Sequence, residues 1–87
     1  MKISNDLKMI TSAQLRAARA LLRWSAEDLA RESKIGVATI RRAEAADGIP
    51  TITTANMASL ARALESAGIQ FISENGDAVG VQLLLRS

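Results

Sequence analysis

The sequence predicts a small, mainly α-helical domain of four to five helices that finishes in a C-terminal β-hairpin. Three observations carry this expectation. Apolar residues recur at helical spacing in successive stretches between residues 11 and 68. Capping and breaking residues separate those stretches at short intervals. Beyond Gly68 the period becomes that of strands, around an Asn-Gly turn. With 87 residues and 48% apolar composition the chain is one domain, near the lower end of what supports its own core. A domain of this size often leans on a second subunit to bury enough apolar surface.

Taken in order, residues 1–10 show no clear period and read as an N-terminal arm, whose Lys2 and Lys8 would be able to reach outward. Thr11-Ser12 offers an N-cap for a helix over 13–23. Leu15, Ala18, Arg19 and Leu22 share one face of it, which places an arginine inside an apolar stripe. Ser25 caps a short second helix, 26–33, and Asp28 completes a capping-box pattern. Trp24 and Leu29 have the spacing of a hydrophobic staple. Lys34-Ile35-Gly36 breaks the chain before a third helix over about 37–46, where Glu44 shares a face with Ile40 and Ala43. Asp47-Gly48-Ile49-Pro50 ends that helix. A fourth is capped at Thr53 or Thr54 and runs through Ala67, with Met57, Leu60, Ala61 and Leu64 as its stripe. Residues 69–73 and 79–85 then form the hairpin around Glu74-Asn75-Gly76-Asp77.

The two misplaced charges explain each other. An unpaired buried charge costs several kcal/mol, so Arg19 and Glu44 form a structural ion pair if both face one core. The alternative is that one of them reaches solvent at a helix edge. Charge is also uneven along the chain. Residues 1–42 hold nine Lys/Arg against four Asp/Glu, a balance of +5, whereas residues 43–87 hold two against five, a balance of −3. The first half has the polarity of a polyanion-binding surface, or of ordinary solvated helix faces.

Composition excludes a good deal of chemistry. There is no histidine, cysteine or tyrosine. Disulfides, thiolate nucleophiles, imidazole bases and nearly all zinc sites go with them. Glu27-Asp28 reads as first-turn charge that complements the helix dipole, not as a catalytic carboxylate pair. No catalytic residue, metal site or cofactor is expected. No apolar run approaches bilayer length, and the N-terminus lacks the apolar core of a signal peptide, so the chain is read as cytoplasmic.

The stretch Leu29-Ala-Arg-Glu-Ser-Lys-Ile-Gly-Val-Ala-Thr-Ile-Arg-Arg-Ala-Glu44 resembles the helix-turn-helix of the Cro and phage-repressor family, also called the xenobiotic response element family. Leu29-Ala30, Thr39-Ile40 and Glu44 stand at the family's spacing, and Arg19 matches its helix-one arginine. The resemblance runs from about Leu15 to Gly68. It implies a lambda-repressor-like domain over 11–68 that binds double-stranded DNA and regulates transcription, as a repressor, associated with the nucleoid when bound. It places Val37, Ala38, Arg41 and Arg42 in the major groove with Thr39 beside them, and Ser25 and Ala26 near a phosphate. Arg41 or Arg42 can grip a guanine edge or merely a phosphate. Arg16, Arg23, Arg31 and Lys34 are candidates for further phosphate contacts.

This chain departs from the pattern in carrying Val37 and Ala38 where polar residues are common. Gly36 stands in place of the polar cap, and Lys34 in place of the turn glycine. Readout then rests on two arginines and on DNA shape. The hairpin, residues 69–87, is rich in apolar residues: Phe71, Val79, Val81, Leu83 and Leu85 are the candidates for homodimer contacts, with Val79 to Leu85 alternating on one face. Alternatively the hairpin folds back on helices one and four of its own chain. A second functional reading keeps the fold and changes the partner, to a protein such as a toxin or another regulator.

Overall fold

The computed structural model describes residues 2–3, 10–74 and 78–85. Helix α1, Ser12–Leu22, starts where Thr11 takes an extended conformation and its hydroxyl accepts from the Gln14 amide. The Gln14 side chain accepts in return from the Thr11 amide at 2.8 Å, closing a capping box. The helix stops at Arg23, whose backbone is left-handed at φ 57°. Helix α2, Ala26–Ser33, opens on the second capping box, Ser25 with Asp28, and ends at Lys34 with φ 65°. Lys34 thus occupies the left-handed position that a turn glycine would fill without strain.

Helix α3, Val37–Ala45, closes one residue earlier than the sequence reading had it. Helix α4, Thr54–Ser66, is capped by Thr53, and the chain leaves it through Gly68 at φ 108°. Four helices are present among the described residues. The apolar stripes meet in one core of Ile10, Leu15, Ala18, Leu29, Ile40, Ala43, Met57, Leu60, Ala61, Leu64, Ile69 and Phe71, with Leu22 and Trp24 packed against it. No helix among the described residues is long and apolar enough to cross a membrane.

Strands β2, Ile69–Glu74, and β3, Ala78–Leu83, pair antiparallel as the predicted hairpin. The Asn75-Gly76-Asp77 part of its turn lies outside the described residues, as does Lys8 of the predicted arm. The arm itself is corrected in part. Lys2–Ile3 forms a short strand, β1, antiparallel to β2 at Ser73 and Ile72, which makes the sheet three-stranded in the order β1-β2-β3. Ile10, at the arm's other end, is 2% exposed in the core.

The packing of the hairpin is the second correction. Ile69 lies opposite Leu83 and Phe71 opposite Val81, and opposed residues share a face. That face meets the chain's own helices: Phe71 is fully buried, and Val81 and Leu83 pack on the core. Gln14 fastens it there, donating its amide to the carbonyls of Ile72 at 3.0 Å and Gly80 at 2.9 Å. Of the candidate dimer contacts, Val79 and Leu85 remain exposed, at 49% and 89%, beyond the part of that face that the helices cover, and Leu84 is exposed at 41%.

Candidate nucleic-acid interface

Helix α3 divides into two faces. Ile40, Ala43 and Glu44 are buried. Ala38, Arg41 and Arg42 are exposed, and Val37 and Thr39 are half-buried at the margin. The helical period produces this split, because residues 38, 41 and 42 fall on the side opposite to 40, 43 and 44. Of the residues that the sequence assigned to the groove, Ala38, Arg41 and Arg42 stand outward, while Val37 and Thr39 lie half-buried at the margin, Val37 on the side of Ile40 and Glu44.

Besides the core packing of Ile40 and Ala43, a set of polar contacts from α1 holds α3 in place. The Arg19 guanidinium grips Glu44 with both edges of the carboxylate, Nε to Oε2 and Nη2 to Oε1, each at 2.7 Å. Its Nη1 donates to the Trp24 carbonyl at 2.9 Å. The Glu44 side chain is 9% exposed and that of Arg19 24%. The hydrogen bond to Glu44 holds Arg19 above its ordinary pKa, against the opposing effect of burial. Two further α1 residues finish the attachment. The buried Ser12 hydroxyl donates to the Ala43 carbonyl at 2.6 Å, and Arg16 donates to the Glu44 carbonyl. Arg16, a candidate for phosphate, is thereby engaged at the C-terminal end of α3.

The N-terminal end of α3 is different in kind. Gly36 gives it no side-chain cap, and no acid stands in its first turn. Its leading amides point away from the helix without a side-chain acceptor. At α2 the situation is reversed. Ser25 is exposed and Ala26 half-buried, but Ser25 is fully engaged with Asp28: its hydroxyl accepts from the Asp28 amide at 3.0 Å, and its own amide donates to Oδ2 at 2.8 Å. The Ser25 amide, the Arg31 guanidinium and the Ser25 hydroxyl together hold the Asp28 carboxyl below the usual carboxylate range. Glu27 and Asp28 already face the positive end of α2, so a phosphate there has to share it.

The two arginines are not equivalent. Arg41 Nη2 donates to the Glu27 carboxylate, bridging α3 to α2, whereas Arg42 Nη2 reaches only the Thr39 hydroxyl, at 3.3 Å. Arg31 pairs with Asp28 at 2.8 Å. Arg23 and Lys34 are exposed at the left-handed ends of α1 and α2. The sequence offers Ser12 only as an N-cap candidate beside Thr11, and nothing periodic marks its bond to Ala43, the contacts of Gln14 or the Glu27–Arg41 bridge. Among the described residues no cluster of acidic side chains is placed to hold a metal ion.

No curated protein matches the chain in sequence. A family model does: the one described as Helix-turn-helix (HTH_3), the Cro/C1 type, matches residues 15–67, from within α1 to the end of α4. With the two helices and tight turn at its centre, the fixed arginine–glutamate pair behind α3 and a match over more than half its length, this chain belongs to the Cro/C1-type helix-turn-helix family of DNA-binding transcriptional regulators.

Proposed function

We propose that the protein is a sequence-specific repressor that binds duplex DNA as a dimer, with α3 in the major groove. The observation that carries this reading is the two-faced α3: Arg41 and Arg42 stand exposed on one side, while the other side is bolted to α1 through Ser12, Arg16 and Arg19. A rigidly held helix with cations on its free face is what base readout requires. Val37 and Ala38 add apolar contact, suited to a thymine methyl, and Thr39 sits beside them. The Ala26 amide at the start of α2 is offered to a backbone phosphate, with Ser25 at its side.

Dimerisation is assigned to the free edge and the two ends of β3. β3 has no strand beyond it among the described residues, and Val79, Leu84 and Leu85 are exposed there. An open edge next to exposed apolar residues favours a second copy. Two-fold symmetry then sets two α3 helices at half-sites one helical turn apart. The same exposed residues favour a second reading, in which the hairpin captures another protein, a toxin or a regulator.

A fluorescence titration against the DNA upstream of the protein's own gene, across a salt series, tests the first reading. Preferential binding is expected, weakening linearly in log–log salt plots. The Arg41→Ala, Arg42→Ala double variant should lose the preference and lower the salt slope by roughly 2. Equal, feeble binding to this duplex and to an unrelated one refutes it. Sedimentation at tens of micromolar (order of magnitude) showing only monomer refutes the dimer.

A further inference from the structure

The DNA-binding reading gives Glu27 no part beyond its first-turn charge on α2. Glu27 is an acid beside a surface assigned to phosphates, where its own charge works against binding. It does not complete the capping box of α2, which Ser25 and Asp28 close between them, and Asp28 also takes Arg31. Its partner is Arg41, across the turn on α3. Both side chains are mostly exposed, at 61% and 60%, so the pair adds little to folding.

What the pair does is restrict an arginine. A guanidinium carries five N–H donors in a planar fork, and Glu27 occupies only Nη2. Nη1 and the second Nη2 hydrogen stay available, and two adjacent N–H donors are what the N7 and O6 of a guanine accept. Among the described residues Arg42 has no carboxylate on it, only the Thr39 hydroxyl at long range. A long cation without such a partner turns readily to the nearest phosphate, whereas Arg41 would have to abandon Glu27 to do so.

We infer that Glu27 is a positioning residue for sequence readout, holding Arg41 for a base edge and leaving phosphate contact to Arg42. This rests on the placement of α3 in the major groove. Glu27 thereby weakens binding to all DNA through its charge, but weakens it least where a guanine meets the held Arg41, so it raises the preference for the right sequence over the wrong one.

The test uses a duplex enriched by the wild-type protein from a library with a randomised core, and a scrambled duplex of the same base composition. Affinities for both are measured at one fixed salt concentration for the wild type, Glu27→Gln, Arg41→Ala and the double variant. Glu27→Gln is expected to strengthen binding to the scrambled duplex and to lower the enriched-to-scrambled ratio by about fivefold. In the Arg41→Ala background the same change should alter both duplexes alike and leave the ratio unmoved. A selection repeated with Glu27→Gln should relax one guanine position. If Glu27→Gln raises both affinities in proportion while Arg41 is present, Glu27 is a bare surface charge: the inference fails and the groove reading stands. If the wild type enriches no sequence, the groove reading falls and takes the inference with it.

Discussion

Breaking the Arg19–Glu44 pair from its two sides should give unequal losses. Glu44 is the deeper partner, its side chain 9% exposed against 24% for Arg19. Arg19→Met leaves a buried carboxylate without its cation and strips a donor from the Trp24 carbonyl. Removing one partner of a buried pair costs about 3–5 kcal/mol, and the upper part of that range applies here. Glu44→Gln leaves the cation instead, and a side chain already a quarter exposed can turn its head towards water. Its cost should be about 1–2 kcal/mol, that of a weakened hydrogen-bonded contact. The double variant Arg19→Met, Glu44→Leu removes both charges together and should be more stable than Arg19→Met alone. Urea unfolding is easily followed, because Trp24 is the only tryptophan and packs against the core. Midpoints should move while the slope stays constant. In thermal melts each kcal/mol should lower Tm by about 4–8 °C for a domain of this size. Equal losses from the two single variants, or a double variant that costs their sum, would refute the reasoning.

Three other outcomes follow from local geometry. Asp28 has its folded pKa depressed, so its contribution is complete above the ordinary carboxylate range and disappears as pH falls through the folded value. Asp28→Asn should therefore lose stability at neutral pH and converge with the wild type in acid; urea midpoints that stay parallel at every pH would count against this. At Gly68, with φ 108°, a Cβ would lie 3.0 Å from the Leu84 carbonyl oxygen and 3.1 Å from Leu83 Cδ1. Gly68→Ala combines backbone strain with a clash against main chain, and should cost about 2–3 kcal/mol in denaturant titrations; a loss indistinguishable from zero would contradict the geometry. Lys34, left-handed at φ 65°, carries strain that glycine avoids, so Lys34→Gly should raise stability by about 0.5–1 kcal/mol despite the greater freedom of the unfolded chain. A lower melting temperature would rule that out.

The helical part of the molecule was largely legible in the sequence because its signals are local. Ser25 and Asp28 are three residues apart, and the stripes of α1 and α4 repeat within a single turn or two. The Arg19–Glu44 pair was legible for another reason: each charge contradicted its own stripe, so each required a partner. The remainder was hidden by distance along the chain. Ser12 meets Ala43 across 31 positions and Gln14 meets Ile72 across 58, and nothing periodic marks a serine or a glutamine for such a contact. The two-residue strand β1 is shorter than any pattern that alternation can reveal. Alternation placed Val81 and Leu83 together on one face of the hairpin, but whether that face met its own helices or another subunit was a tertiary question, and Phe71 in the core of its own chain answers it for the inner side.

The side-chain bonds from α1 to α3 are all gathered at one end of the helix, which makes that end a fulcrum. Ser12, Arg16 and Arg19 all act on Ala43 and Glu44, near its last turn, while Val37 and Ala38 sit at the far tip. Val37 lies six residues before Ala43, an arm of about 9 Å at 1.5 Å rise per residue, so a tilt of about 6° at the fulcrum displaces the tip by about 1 Å, enough to spoil a two-point hydrogen bond. Substitutions in α1, remote from any nucleotide, should therefore register as errors in reading at the tip before they register as loss of fold.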